Sequence, residues 1–156
     1  MPMITIRKAI PSDTSELCRM ALAMHETSPI KDEIPLDVRS FISKVADLST
    51  GGYGVVFVAE KEDGALCGMI AGEIMQLWFN PDYKVAQEVF WWVDKDHRGL
   101  LWRSLLNFLV SWATEEGGNK LSMRSSMFND NMSKLERIYK KLGFISYDVF
   151  YIKELK

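Results

Sequence analysis

The hydrophobic pattern between residues 89 and 113 changes period once. Residues 89–93 are apolar at every position, which is typical of a strand with both faces buried. After a polar turn at residues 94–99, apolar residues recur at helical spacing, namely Leu101, Leu105, Leu106, Phe108, Leu109, Trp112 and Ala113. The pattern predicts a buried strand, a tight turn and a helix in direct succession.

A helix that begins directly after a strand presents unpaired main-chain N–H groups in its first turn. The helix dipole adds partial positive charge there, and phosphate oxygens bind such sites. Arg98 and Arg103 flank this turn, although the start of a helix disfavours cations unless an anion is bound. The sequence therefore predicts an anion site on residues 98–104. The alternative is that both arginines are solvated surface charges.

Periodicity elsewhere predicts a mixed α/β fold. Alternating or β-branched stretches predict strands at residues 3–7, 53–60, 66–79, 85–93, 120–125 and 147–155. Helical spacing predicts helices at residues 13–26, from 35–37 to about 50, from 101 to about 116, and at 129–142. The order is β-α-α-β-β-β-α-β-α-β, in which the middle three strands form an antiparallel meander and helices cover both faces of the sheet.

Two pairs of residues predict further details of this fold. Asp13 and Glu16 have the spacing of a capping box at the start of the first helix. Trp78 and Phe79 end an apolar strand, and we expect both in the core.

Composition narrows the class of protein. The chain has 156 residues, 47% hydrophobic and 26% charged, which predicts one globular domain over residues 1–156. A net charge of -2 gives no general attraction to nucleic acid. We expect a cytoplasmic protein, because no apolar run is long enough to span a membrane and the first residues lack the apolar core of a signal peptide. Two cysteines and two histidines indicate reduced core thiols and no metal centre.

Three motifs in chain order resemble the GNAT-type N-acetyltransferase family. Residues 6–13 read I-R-K-A-I-P-S-D, similar to the family's I-R-x-A-x-x-x-D. Val93 and Arg98 keep the family spacing of a strand-end valine and an Arg or Gln five residues later, before a glycine-rich turn. The end of the family's N-x-x-(small)-x-x-(apolar)-Y-x-x-x-G-F motif is matched by Ile138, Tyr139, Gly143 and Phe144. The resemblance covers nearly the whole chain and implies the family's fold.

The sequence departs from the family pattern at two places. The turn reads R-G-L-L-W-R, so it keeps Gly99 but has Leu101 and Arg103 where the family has small residues. Side chains here must point away for the main-chain amides to reach a phosphate. In the later motif, Asn131 lies one residue before the family's asparagine position.

The resemblance implies acetyl-CoA as co-substrate, with no metal. It places the pantetheine arm along the strand end at Trp91, Trp92 and Val93, where a main-chain N–H near Val93 would stabilise the oxyanion. It places the pyrophosphate on the turn, against Arg98, Gly99, Leu100, Leu101, Arg103 and Ser104. Asn131 would reach the arm, or would only cap the last helix.

The resemblance also implies that Tyr139 protonates the leaving thiolate, because a phenol is still protonated at pH 7. The alternative is a core tyrosine on the apolar face of its helix. A base must accept the amine proton. Glu73 and Glu88 are the candidates by position, because burial in apolar strands raises a carboxyl pKa.

Two functions from different classes remain open. The first is acetyl transfer to an amine of a small molecule or peptide by direct attack, with no acyl-enzyme. The second is a non-catalytic protein of the same fold that binds CoA weakly or not at all and acts as an interaction module. A homodimer is an expectation drawn from the resemblance alone.

Overall fold

The computed structural model describes residues 3–124, 132–148 and 151–155 of the chain. The strands are β1 (Ile4–Lys8), β2 (Gly54–Lys61), β3 (Leu66–Leu77), β4 (Asn80–Val93) and β5 (Lys120–Ser122). The helices are α1 (Thr14–Glu26), α2 (Val38–Thr50), α3 (Leu101–Glu115) and α4 (Met132–Lys141). Short 3-10 turns lie at Pro11–Asp13 and Lys95–His97.

The five strands form one mixed sheet in the order β1-β2-β3-β4-β5. Neighbours are antiparallel except for β4 and β5, which are parallel and are joined through α3. The α1 and α2 helices pack on one face, over a core that includes Leu17, Met20, Leu48 and Met69. The α3 helix packs on the other face, over Ile70, Leu105, Leu109 and Trp112. The predicted fold class, a mixed sheet with helices on both sides, is confirmed.

Local interactions explain where two of the helices begin. The Asp37 carboxylate caps α2 by accepting the main-chain N–H groups of Arg39 at 3.0 Å and Ser40 at 3.5 Å. Asp13 does not cap α1 in the predicted way, because no side-chain cap bond is formed there. Its carboxylate is instead held by Arg7, at 2.8 and 3.0 Å, and by the Ile10 amide.

Three further expectations differ from the structure. The described part of residues 147–155 contains no strand. Trp78 and Phe79 are not core residues, because β3 and β4 continue beyond the sheet as a hairpin whose tip they form, and Trp78 is 93% exposed. The apolar run 89–93 is not fully buried: Phe90 and Val93 are buried, whereas Trp91 and Trp92 are only partly covered. The reason for this lies in the geometry of β4.

Two general features of the described residues bear on function. No helix among them is long and apolar enough to cross a membrane. Within the same residues, no three His, Cys, Asp or Glu side chains converge as metal ligands would.

Candidate active site

A β-bulge in β4 separates it from β5. Phe90 lies opposite Ala71 of β3 while Glu88 lies opposite Gly72, so Val89 is an extra residue without a partner. On the other side of β4, pairing with β5 ends at Gln87, which lies opposite Ser122. From Glu88 to its end, β4 therefore has an edge that β5 does not cover.

Main-chain alternation shows which groups line this open edge. The Asp94 amide donates to the carbonyl of Cys67 in β3. Because successive residues of a strand direct their N–H and C=O groups to opposite sides, those of Trp91 and Val93 point away from β3, towards the open edge. The main-chain groups of Trp92 point to β3. The edge thus offers a short ladder of donors and acceptors to an extended ligand.

Glu88 lies where the two strands separate. It is 2% exposed, and its Oε2 accepts the main-chain N–H of Arg124 at 2.6 Å. Burial raises the pKa of Glu88 to about 7, while the hydrogen bond from the Arg124 amide and the charge of Arg124 oppose that rise. A carboxyl with this pKa is partly protonated at neutral pH and can both accept and return a proton.

Glu73 lies on the opposite face of the sheet from Glu88. Glu88 is paired with Gly72, where an added Cβ would contact Leu109 and Trp112 of α3. Glu73, the next residue, points to the α1/α2 face and forms an ion pair with Lys44 of α2 at 2.7 Å. The structure therefore separates the two carboxylates that the sequence could not distinguish.

The turn after β4 leaves the first amides of α3 accessible. No side-chain hydrogen bond caps the helix at Leu100, and its first turn carries no acidic residue. The Leu100 side chain is 82% exposed and points away from the protein. Leu101 and Trp102 pack inward against the α3-side core. The R-G-L-L-W-R turn thus keeps its bulky side chains clear of the amides.

Gly99 has the backbone conformation that a glycine favours. Its φ is +147°, and a Cβ added there would meet no atom within 4 Å. The glycine is therefore not required by close packing within the protein, and the space beside it is open to a ligand.

Arg98 connects the turn to the strand end. Its Nε donates to the Val93 carbonyl at 3.1 Å, and its guanidinium lies 4.9 Å from the centre of the Trp92 ring. Its Nη groups bond to no described residue. Arg103 and Ser104 follow in the first helical turn; Arg103 is exposed and makes no ion pair within the described part of the chain.

Tyr139 lies beside the open edge. Its ring centre is 6.5 Å from that of Trp91 and 5.4 Å from that of Phe144, so α4 contacts the α3-side face of β4. The Trp91 ring also contacts Trp102, at 5.8 Å, and its buried Nε1 has no hydrogen-bond partner among the described residues. The sequence predicts no polar role for the Trp91 side chain, because nothing in an apolar run marks an indole N–H that will lack a partner. Asn131 lies outside the described residues.

A cavity of about 300 Å³ lies on the other face of the same part of β4. It is open to solvent and is lined by the end of α1, the α1–α2 connection, the start of α2, and Val89 and Phe90 of β4. This cavity could not be predicted from the sequence, because it depends on the bulge that turns both Val89 and Phe90 towards the α1/α2 face.

The site geometry agrees with the family that the sequence matches. The profile described as "Acetyltransferase (GNAT) family" matches residues 20–144. The chain belongs to the GNAT acetyltransferase family. No sequence among the curated proteins matches it.

Solved structures show the same fold. A predicted acetyltransferase with acetyl-CoA from Clostridium acetobutylicum is 23% identical, with 98% of this chain and 97% of that chain covered and a TM-score of 0.71. Glucosamine-6-phosphate N-acetyltransferase from Arabidopsis thaliana is 18% identical, with 99% of each chain covered and a TM-score of 0.74. An aminoglycoside N-acetyltransferase in complex with CoA is 11% identical, covering 100% of this chain and 97% of that one, with a TM-score of 0.75. At these identities the matches show the fold alone.

Proposed function

We propose that the protein is an acetyl-CoA-dependent N-acetyltransferase that transfers the acetyl group to an amine of a small molecule or peptide by direct attack. The observation that carries the proposal is the open edge of β4, which has the Glu88 carboxyl at one end and the uncapped start of α3 at the other. Family membership supports the reaction type. The neighbours named for glucosamine-6-phosphate and aminoglycosides support a small-molecule amine.

The residues around the edge suit acetyl-CoA. The amides of residues 99–103, at the uncapped start of α3, would hold the pyrophosphate, with Arg103 and the Nη groups of Arg98 adding charge-assisted bonds. The N–H and C=O groups of Trp91 would pair with a pantetheine amide, while the Val93 carbonyl is already occupied by Arg98 Nε. The Trp92 ring supports Arg98 from beneath. Acetyl-CoA supplies the activated acetyl group as a thioester.

Glu88 is the general base in this proposal. When the amine nitrogen bonds to the acetyl carbon and the carbon–sulfur bond breaks, the nitrogen loses a proton and the sulfur gains one. The Glu88 carboxylate takes the first proton, directly or through a water, because its raised pKa suits a base at neutral pH. Glu73 is less suited, because it is ion-paired with Lys44 on the other face.

Tyr139 is the general acid in this proposal. Its position against Trp91 supports delivery of a proton at the open edge, where the thiolate would leave. The main-chain N–H of Val93 points to the same edge and would stabilise the oxyanion. Asn131, which lies outside the described residues, keeps its proposed role of contacting the pantetheine arm.

A non-catalytic interaction protein is the second candidate. The exposed aromatic tip of the β3–β4 hairpin, formed by Trp78 and Phe79, favours it. The atypical turn at residues 98–103 also favours it, because the family's small residues are replaced there.

Turnover distinguishes the two candidates. Purified protein is incubated with acetyl-CoA and a panel of primary amines, and free CoA thiol and N-acetylated product are measured together. We expect stoichiometric formation of both in the wild type and a large loss in the Glu88→Gln variant. No product at saturating acetyl-CoA and amine would contradict the enzyme proposal and favour the interaction protein.

A further inference from the structure

The cavity on the α1/α2 face has an apolar floor. Phe41 of α2 and Phe90 of β4 form an aromatic pair with ring centres 5.4 Å apart, and Val89 lies beside them. Ile30, Ile34 and Leu36 form the wall that the α1–α2 connection contributes. At about 300 Å³, the cavity lies at the small end of the range for ligand pockets.

The polar side chains around this cavity are already engaged. The Nε2 atom of His25 lies 2.7 Å from the Ile34 carbonyl oxygen. Asp37 caps α2 and also accepts from the Ser40 hydroxyl at 3.0 Å. Lys44 is paired with Glu73 at 2.7 Å. Among the described residues that line the cavity, Lys44 is thus already paired and would not bind a phosphate, whereas the Asp37 carboxylate accepts only neutral donors at the start of α2.

The cavity reaches the proposed site of acetyl transfer. Val89, which lines it, is the unpaired bulge residue directly after Glu88, at the point where β5 leaves β4. A molecule whose apolar body lies on Phe41 and Phe90 can extend an amine past Val89 to the open edge. The nitrogen then lies near the main-chain groups that would hold the thioester, and its proton would reach Glu88, whose side chain is on the α3 face, through a water.

We propose that the acceptor is a primary amine on a compact apolar body, an arylalkyl or branched alkyl amine, which binds with that body on the Phe41–Phe90 pair. The assignment rests on the proposed acetyltransferase function. Phosphorylated amines are disfavoured, because Lys44 is already held by Glu73. Polycationic amines are disfavoured, because their further ammonium groups would lose hydration against the apolar floor.

The test compares four amines in the wild-type protein at saturating acetyl-CoA. They are 2-phenylethylamine, ethylamine, kanamycin and glucosamine 6-phosphate. Each additional carbon group that is buried in an apolar pocket improves kcat/KM by roughly 10-fold or more. We therefore expect 2-phenylethylamine to exceed ethylamine by at least about 100-fold, and also to exceed both charged sugars.

A pocket variant and a matched control connect the preference to the cavity. Phe41→Leu keeps an apolar side chain in the core but removes the ring. We expect it to lower kcat/KM for 2-phenylethylamine by about 10-fold and so to narrow the advantage of 2-phenylethylamine over ethylamine. Phe108→Leu makes the same change on α3, where Phe108 contacts Phe57 on the other face of the sheet. It is expected to leave both amines unchanged.

Calorimetric titration with acetyl-CoA, run on the same samples, separates the two levels of failure. Suppose that acetyl-CoA binds. The apolar-acceptor proposal is then overturned if a charged sugar is preferred, if ethylamine and 2-phenylethylamine have equal kcat/KM, or if no amine reacts. If acetyl-CoA does not bind, the proposed function falls and the acceptor assignment falls with it.

Discussion

The Oε2 atom of Glu88 and the main-chain N–H of Arg124 are 2.6 Å apart, at the point where β5 leaves β4. This bond holds a buried carboxyl at the closed end of the open strand edge. Because the bond goes to main chain, the carboxyl is positioned by the sheet itself and does not depend on a mobile side chain. The proposed catalytic base thus lies at the position where β4 and β5 separate and the open edge of β4 begins.

Substituting Glu88 by Gln is expected to lower kcat/KM about 100-fold or more, which is the usual contribution of a general base. The amide oxygen can still accept the Arg124 N–H, so acetyl-CoA affinity should not change. In the wild type, kcat/KM should rise as pH increases through about 7, where Glu88 loses its proton, and Glu88→Gln should lack this limb. Steady-state rates from pH 5.5 to 9 measure this, with Glu73→Gln as the matched control. Equal losses in both variants would refute the assignment of the base.

The raised pKa of Glu88 also predicts how the free energy of unfolding depends on pH. The folded-state pKa of Glu88, about 7, lies above its ordinary value of 4.5, so the folded protein holds this proton more tightly than the unfolded chain does. Its effect on stability is neutral below pH 4.5, becomes unfavourable as pH rises from 4.5 to 7, and stays constant above.

Urea unfolding of the wild type and of Glu88→Gln at pH 5 and pH 8 isolates this contribution, because the other groups cancel. The free energy of unfolding of the wild type should fall by about 2–3 kcal/mol more than that of the variant. A parallel decline in both proteins would mean that Glu88 titrates normally in the fold.

Tyr139→Phe tests the proposed acid. The ring contacts with Trp91 and Phe144 remain in the variant, so the fold and the KM for acetyl-CoA should be unchanged. We expect kcat to fall about 10-fold or more, because the leaving thiolate loses its proton donor. Tyr53→Phe, at a partly exposed tyrosine before β2, is the control for loss of a phenol. A kcat equal to that of the wild type would leave Tyr139 with only a packing role.

The pairing of Arg7 with Asp13 is expected to be structural. Asp13 is 7% exposed and lies beside Arg7, whose hydrogen bonds hold the pKa of this carboxyl below its ordinary value. Arg7→Ala should reduce the free energy of unfolding by about 3 kcal/mol at pH 7, because a buried carboxylate loses its partner. Since the pKa is depressed, this contribution is present at neutral pH and is lost as pH falls through the folded-state pKa.

Chemical denaturation at pH 7 measures the loss. The double variant Arg7→Ala/Asp13→Asn should recover part of it, since no buried charge remains. A further loss in the double variant would show that the hydrogen bond from the Ile10 amide to Asp13 contributes more to stability than the unpaired charge costs.

The fold could be predicted from the sequence because apolar residues recur at one period in its helices and at another in its strands. The helical spacing of Leu105, Leu109 and Trp112 and the turn before them require no tertiary information. The bulge at Val89 could not be predicted, because an unbroken apolar run has no period that an extra residue would interrupt. The cavity and the open edge follow from that one residue, whereas the different faces of Glu73 and Glu88 follow from the register that pairs Glu73 with Gln87.

The exposure of the hairpin tip could not be predicted from the sequence either. Trp78 and Phe79 have the composition of a core strand, but β3 and β4 extend past the helices that cover the sheet. Strand length relative to the covering helices is a tertiary property, and hydrophobicity alone does not reveal it.

The central claim is that acetyl-CoA binds with its pyrophosphate at the start of α3, and a thermal shift with acetyl-CoA tests it most directly. The wild type should be stabilised by several degrees at 100-fold excess over Kd. The double variant Arg98→Ala/Arg103→Ala should lose most of that shift. Lys8→Ala/Lys61→Ala, which removes the same charge at the β1–β2 edge of the sheet, should keep it. No shift in the wild type at saturating acetyl-CoA, or an equal shift in all three proteins, would contradict the claim.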